Sequence, residues 1–372
     1  MFLHNVDPVM SERSSYMPIA EKRRDETKGQ ITDETLGRIL AFYGFGDSWS
    51  LLPVVPVGGT LVVLNAKAET TRKAVVSYQR HQYLLKEVPW YCSEASFVQF
   101  MLTFYQQLAD EQFPVPELIA ARGMHRSFVE VDNHFYYLQR FLLGASYSEK
   151  QTEIWQAGAN LARMHRLSAQ FSRKFAEVEA HPFRESTFRL SREMVGVLEN
   201  LINVNRGRMG EMQSQRLSEY CREATTLLTK LEKDVQPTYS LSTIQVHGDY
   251  NPLNLLYGPE GTVIATLDFE NTALDNPVHD IAEGLLNFCF HLYRPSSARF
   301  ARLPHDFRKE AVLQFIDGYR RFNPAAYEAT ENILPQVLTA VFIELYTLGL
   351  VRGDYDFATS QGIWDVVDLL HL

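Results

Sequence analysis

Sixty consecutive residues, Asp234 to Tyr293, contain no lysine or arginine. Eight acids stand in that stretch: Asp234, Asp249, Glu260, Asp268, Glu270, Asp275, Asp280 and Glu283. The whole chain, 372 residues with 36 Lys and Arg against 45 Asp and Glu, has a formal charge of −9, yet outside this stretch the balance is only −1. The acidic excess is local, and a local block of acids in a globular chain asks for a cation. Cysteine is scarce as well. Cys92, Cys221 and Cys289 are odd in number and far apart, which argues against a disulfide framework and fits reduced intracellular thiols. Strong basic runs are missing, and with a pI near 5.7 nucleic acid is not expected as a partner, because such binding rests on neutralising phosphates. The start, MFLHNVDPVMSERSSYM, lacks an apolar segment of the signal type, and the most apolar late run, Ala340 to Val351, is interrupted by Glu344 and too short to span a bilayer. The expectation is a cytoplasmic protein without a membrane partner, a monomer or homodimer.

What is present describes a folded chain. At 45% hydrophobic and 12% aromatic residues it can bury a sizeable core. Residues 1–32 are polar and mixed in charge and read as a loosely held arm. Helical spacing starts at Asp33 and ends at Gly44 and Gly46. Four β-rich segments follow, SLLPVVPVGG, TLVVLNAKA, KAVVSYQ and HQYLLKEV, and predict an antiparallel meander. Ser93 reads as the cap of a helix, SEASFVQFMLTFYQQLADEQ, stopped before Pro114 and Pro116. Asp132-Asn133 reads as a two-residue turn between SFVEV and HFYYLQRFLLG. From Glu149 the pattern turns helical and stays so to Lys233, and it resumes after a β-rich island, Ile244 to Glu270. The architecture expected is α+β: a sheet-plus-helix lobe over 33–143 that binds nucleotide, and a larger, mainly helical lobe over 144–372 that carries the catalytic motifs.

The island reads Ile244-Gln-Val-His247-Gly248-Asp249-Tyr250-Asn251-Pro252-Leu253-Asn254-Leu255-Leu256-Tyr257, a Gly258-Pro259-Glu260-Gly261 turn, then Val263 to Glu270 with Asp268-Phe269-Glu270 at its end. Two short apolar strands bracket a polar loop, and Asp249, Asn254 and Asp268 converge. Phosphoryl transfer needs such a set. A carboxylate, Asp249, orients the attacking hydroxyl and accepts its proton. Nucleotide phosphate charge is offset by Mg²⁺, a hard cation served by oxygen ligands such as Asn254 and Asp268.

HGDxxxxN followed by an apolar strand ending in LDFE resembles the signature of the aminoglycoside phosphotransferase and choline kinase superfamily. The resemblance extends to Val278-His279-Asp280-Ile281-Ala282, similar to that family's DLA helix, to Leu161-Ala162-Arg163-Met164-His165, and to Phe113-Pro-Val-Pro116. It implies a bilobal protein-kinase-like fold, ATP and Mg²⁺ as cofactors, Asp249 as catalytic base, Asn254 and Asp268 as metal ligands, and Asp280 as support of the catalytic loop, with His247 as a packed loop anchor. Lys86, among apolar neighbours, takes the α/β-phosphates. Gly58 and Gly59 let backbone N–H groups approach phosphate, and Gln139 to Phe141 form the hinge whose backbone meets adenine. Gly248 stands where protein kinases have the HRD arginine. YLLKEVPWY, FVEV and FYYLQRFLLG are most similar to the homoserine-kinase-like and spore-coat-kinase-like branches.

One departure is visible. In the family the lysine pairs with a glutamate on the following helix, yet this helix offers only Glu94 at its first turn and Gln99 in its middle. Glu94 serves, or the pair is absent. Glu270, Asp275 and Glu283 remain as acids that attract a positively charged acceptor. The activity expected is transfer of the γ-phosphate of ATP to a hydroxyl of a small molecule: an amino-alcohol, an aminoglycoside-like antibiotic, a sugar or a homoserine-like metabolite. A Ser/Thr protein kinase of the same fold, a non-catalytic nucleotide-binding protein, and a His279-Asp280 phosphohydrolase are the alternatives.

Overall fold

Residues 31–352 of the computed structural model are described, except 47, 53, 58, 59, 64–71, 90, 91, 93, 125, 172–186, 208, 240, 241 and 290–307; of 54–57 and 60–63 the backbone alone is described. The polar arm up to residue 30, the Gly58-Gly59 pair and the Ser93 cap lie outside the described residues. Helix α1, Asp33–Phe42, begins where Thr32 accepts a hydrogen bond from the Thr35 N–H at 3.2 Å, and Asp33 and Glu34 in its first turn complement the helix dipole. Strands β1 (Ser50–Leu52), β2 (Val54–Val57), β3 (Thr60–Val63), β4 (Lys73–Tyr78) and β5 (His81–Glu87) follow. Helix α2, Ala95–Asp110, precedes β6 (Leu118–Ile119), β7 (Phe128–Val131) and β8 (His134–Arg140).

The sheet is antiparallel, in the order β1-β4-β5-β8-β6 with β7 also on β8. Its two tight hairpins turn through Gln79-Arg80 and Asp132-Asn133, all four at positive φ, the geometry that matches the twist of the flanking strands. The β4–β5 turn sets the register and places Lys73 opposite Lys86. Leu36, Ile39 and Leu40 of α1 pack with Val76, Leu85, Val129 and Leu138 of the sheet in one core, each such side chain contributing roughly 1.5–3 kcal/mol by burial.

Three long helices come next, α3 (Gln151–Phe171), α4 (Thr187–Asn205) and α5 (Glu211–Tyr239), then β9 (Ile244–Val246), the hairpin β10 (Leu255–Tyr257) and β11 (Val263–Thr266), and β12 (Ala273–Asp275). Helices α6 (Val278–Cys289), α7 (Lys309–Phe322), α8 (Pro324–Thr330) and α9 (Leu334–Arg352) complete the described chain. The β-rich island is a nested pair of ladders: β10 pairs with β11, while β9 pairs with β12, a three-residue strand beyond the island's expected end.

Packing divides the chain into two units. The sheet unit holds residues 31–148 and Leu253–Asn271; the helical unit holds Glu149–Pro252 and 272–352. In the helical unit α3 and α7 pack closely because glycine stands on both: a Cβ at Gly158 would strike the Phe315 carbonyl, and one at Gly318 the Trp155 carbonyl. Helix α9 corrects an expectation. The apolar run begins at Leu334, not Ala340, and Leu334–Val351 is long and apolar enough to cross a membrane by length and composition. It is 67% buried, packed on α4 and α6, as a core helix is.

Candidate active site

In the helical unit the loop after β9 is built around one carboxylate. Gly248 adopts φ +80°, a left-handed conformation that costs glycine little. Two successive N–H groups then reach Asp280: His247 N donates to Oδ2 at 2.7 Å and Gly248 N to Oδ1 at 2.9 Å. His165 Nε2 of α3 lies 3.0 Å from Oδ2, and its Nδ1 lies 2.8 Å from the Tyr319 hydroxyl. Asp280 is fully buried. Burial pushes its carboxyl upward, but the His165 hydrogen bond and the nearness of His165, His279 and His247 hold it well below the usual carboxylate range.

One turn along α6, Glu283 accepts the Tyr250 N–H at 2.7 Å, and the Tyr250 hydroxyl donates to the Ala157 carbonyl at 2.7 Å. Asp249 between them is half-buried. Its N–H donates to His247 Nδ1 at 3.2 Å and its Oδ1 accepts from Asn251 Nδ2 at 2.7 Å. A carboxylate so placed is oriented without being sealed from solvent.

In the sheet unit Asn254 ends a 3-10 turn, Pro252–Asn254, just before β10, and its carbonyl accepts the Leu267 N–H at 2.8 Å. Asp268 follows immediately, so the two oxygen donors stand at the open end of one hairpin. Asp268 has φ +59°, a strained conformation for a residue with a Cβ and of the kind stored at functional sites. Lys86 on β5 is 1% exposed and ion-paired to both Asp268 and Glu270. Burial lowers its pKa, yet the Asp268 and Glu270 carboxylates prevail and raise it. Lys73 Nζ lies 3.5 Å from the other Asp268 oxygen.

Hard oxygen donors without sulfur or imidazole suit Mg²⁺ better than softer ions. Asn254 and Asp268 fit this, and the Asp268 side chain is 35% exposed, open to a ligand. His279, Asp280 and Glu283 also bring ligand atoms within 4.8 Å of one another. There the oxygens are committed to loop N–H groups and His279 Nδ1 lies 2.9 Å from the Thr187 hydroxyl, so that cluster is framework.

The model of the phosphotransferase enzyme family matches residues 60–329. The chain belongs to that family. It is a transferase, and no curated protein sequence matches it. Among solved structures, an aminoglycoside phosphotransferase from Alicyclobacillus acidocaldarius superposes with a TM-score of 0.57 at 13% identity, over 90% of this chain and 92% of that one. A microcompartment-associated aminopropanol kinase gives 0.56 at 18% identity, over 91% and 94%. An amicoumacin kinase in complex with AMP-PNP, Ca²⁺ and Ami gives 0.55 at 15% identity, over 96% and 92%. These likenesses give the phosphotransferase a protein-kinase-like α+β fold.

Several expectations change at this phosphotransferase site. Glu94 is not the partner of Lys86: it is the exposed N-cap of α2, and among the described residues it makes no ion pair. Gln99 is exposed too and donates to Thr103. The lysine's partner was missed because Glu270 is remote in sequence. Lys73 was missed as well, although the two-residue β4–β5 turn places it opposite Lys86. Glu270, Asp275 and Glu283 are not open acids. Each is buried: Glu270 on Lys86, Asp275 accepting from the Tyr239 hydroxyl and the Asn276 N–H, both at 2.7 Å, and Glu283 on Tyr250. The segment expected to be the hinge, Gln139 to Phe141, is engaged in the sheet. Gln139 is inside the ladder, paired with Leu84 and Leu118, and the Phe141 N–H donates to the Gln82 carbonyl at 3.0 Å, so that N–H is not offered to a base.

Proposed function

We propose that this phosphotransferase uses ATP and Mg²⁺ to phosphorylate a hydroxyl of a small molecule, an amino-alcohol or aminoglycoside-like compound foremost. The observation that carries the reading is the placing of Asn254 and Asp268 together at one hairpin end, with Lys73 and buried Lys86 on the same aspartate. This is a phosphate and metal site by charge and by donor type. Asp249, five positions before Asn254 on the same loop, supplies the base.

In this reading the acceptor hydroxyl donates its proton to Asp249 as its oxygen bonds to the γ-phosphorus, and the bond from that phosphorus to the β,γ-bridging oxygen breaks to leave ADP. The metal, when bound by Asn254 and Asp268, neutralises phosphate charge. Lys86 and Lys73 hold the non-transferred phosphates. The buried Asp280 network keeps the His247–Asp249 backbone in place, so that Asp249 pays no reorganisation at the moment of transfer. The relatives' aminoglycoside, aminopropanol and amicoumacin acceptors support a small-molecule acceptor bearing an amine.

The test is ADP release from purified protein given ATP, Mg²⁺ and a panel of hydroxyl compounds, including aminopropanol, ethanolamine, aminoglycosides, homoserine and sugars. Acceptor-dependent turnover that Asp249→Ala reduces at least a thousandfold is expected. Nucleotide binding without turnover on any acceptor would make the protein a nucleotide-binding scaffold instead.

A further inference from the structure

Helix α2 has no means of holding Lys86. Its single acid, Asp110, is its last residue, and its inward face is apolar, with Phe97, Val98, Met101, Phe104 and Tyr105 buried. A buried ammonium without a counter-ion costs several kcal/mol, so a carboxylate has to come from elsewhere. Asp268 and Glu270 supply two, one on each side of Phe269, whose ring packs edge-on against Phe104 and Tyr105 with centroids 5.9 and 5.2 Å apart. The aromatic contact fixes the turn to α2 while both acids reach the lysine.

The two acids are not equivalent. Asp268 is 35% exposed and shared with Lys73. Glu270 is 6% exposed. Its Oε1 accepts from the Tyr137 hydroxyl at 2.8 Å, and its carbonyl accepts from Cys92 Sγ at 3.4 Å. Tyr137, the cross-strand partner of Lys86, also lays its ring 5.6 Å from the ammonium. A cation that takes Asp268 draws that carboxylate's charge away from Lys86; Glu270, closed in by Tyr137, stays.

We infer that Glu270 is the permanent counter-ion of Lys86 and its positioning residue, in place of a helix glutamate. The assignment rests on the nucleotide reading of Lys86 for its role, though not for the ion pair. It follows that the lysine is set by the same turn that carries Asp268, and not by a carboxylate on α2.

The experiment measures melting temperature and ADP affinity, with and without Mg²⁺, in the full-length protein and in Glu270→Gln, Lys86→Met, the double variant and Glu94→Gln. Glutamine keeps an oxygen for Tyr137. Glu270→Gln is expected to weaken ADP binding about tenfold in both conditions, to raise KM for ATP more than it lowers kcat, and to lower the melting temperature. In the Lys86→Met background the same change is expected to raise the melting temperature, because it removes a carboxylate left without its cation, and to leave ADP affinity unchanged. Glu94→Gln stays within twofold of the parent. The inference is overturned if Glu270→Gln lowers the melting temperature equally in both backgrounds, if it binds ADP like the parent, or if Glu94→Gln weakens binding instead. A parent protein that binds neither ADP nor ATP overturns the nucleotide reading; the sign reversal in melting temperature then still tests the ion pair by itself.

Discussion

The helical unit and the sheet unit hold their candidate site residues in different ways. In the helical unit the His247–Tyr250 loop hangs on buried carboxylates that accept backbone N–H groups, with His165 and Tyr319 behind them. In the sheet unit Lys86, Lys73, Asp268 and Glu270 hold one another by charge, and Asp268 faces solvent. A group that must keep one orientation is best fixed by hydrogen bonds to the main chain, since these do not change when a ligand arrives. A group that must accept a charged ligand is better balanced by charges it can exchange. The contrast predicts that the first network governs stability and the second governs affinity.

The largest effect is expected at Asp280. Asp280→Ala leaves two buried N–H groups and His165 without their acceptor, and removing one partner of such a network costs about 3–5 kcal/mol. Chemical denaturation should show that loss, together with loss of turnover. If the variant is as stable as the parent but inactive, the network is not the scaffold that the contrast requires.

Much of this was legible before the structure. HGD, the asparagine five positions on and LDFE lie within 24 residues of chain, so the candidate base and the candidate metal ligands could be read from one local motif. The turn Asp132-Asn133 was readable because both residues tolerate the positive φ that they adopt, +53° and +60°. What was not legible depends on long-range pairing. Strand β12, Ala273–Asp275, is three residues before a proline-containing turn and has no pattern of its own; its partner β9 defines it. Glu270 reads from the sequence as an acid that attracts a charged acceptor, because Lys86 is 184 positions away. The Phe141 N–H is satisfied by Gln82 across the sheet, a pairing that no local signal encodes.

Acid sharpens the comparison at an intermediate size. Glu87 in the sheet unit is buried, which raises its pKa, but hydrogen bonds with His134 and Arg72 prevail and lower it from 4.5. Asp280 is lowered from 3.8, and further. Both folded values are depressed, so both contributions are complete above the unfolded values and fade as pH falls through the folded ones, by about 1.4 kcal/mol per pH unit for each group. The sheet unit should therefore begin to weaken just below pH 4.5, ahead of the Asp280 network. Hydrogen exchange at stepped pH would resolve the order, and Glu87→Gln should flatten the earlier loss alone. Simultaneous loss of protection in both units would mean that they do not differ in this way.

The smallest effect belongs to Lys73. Its pair with Asp268 is 3.5 Å long, with both side chains about one-third exposed, and a pair of that kind contributes roughly 0–1 kcal/mol to stability. Lys73→Met should leave the melting temperature nearly unchanged. If Lys73 is part of the exchangeable charge set, the same substitution weakens ATP binding about threefold to tenfold, and the deficit shrinks as salt screens the attraction. Affinity that is unchanged at low ionic strength would remove Lys73 from the nucleotide site and leave Lys86 as the cation on which the sheet unit relies. The salt dependence decides between a ligand-directed lysine and one that only neutralises Asp268, because the second kind would be felt in the empty protein and not in nucleotide affinity.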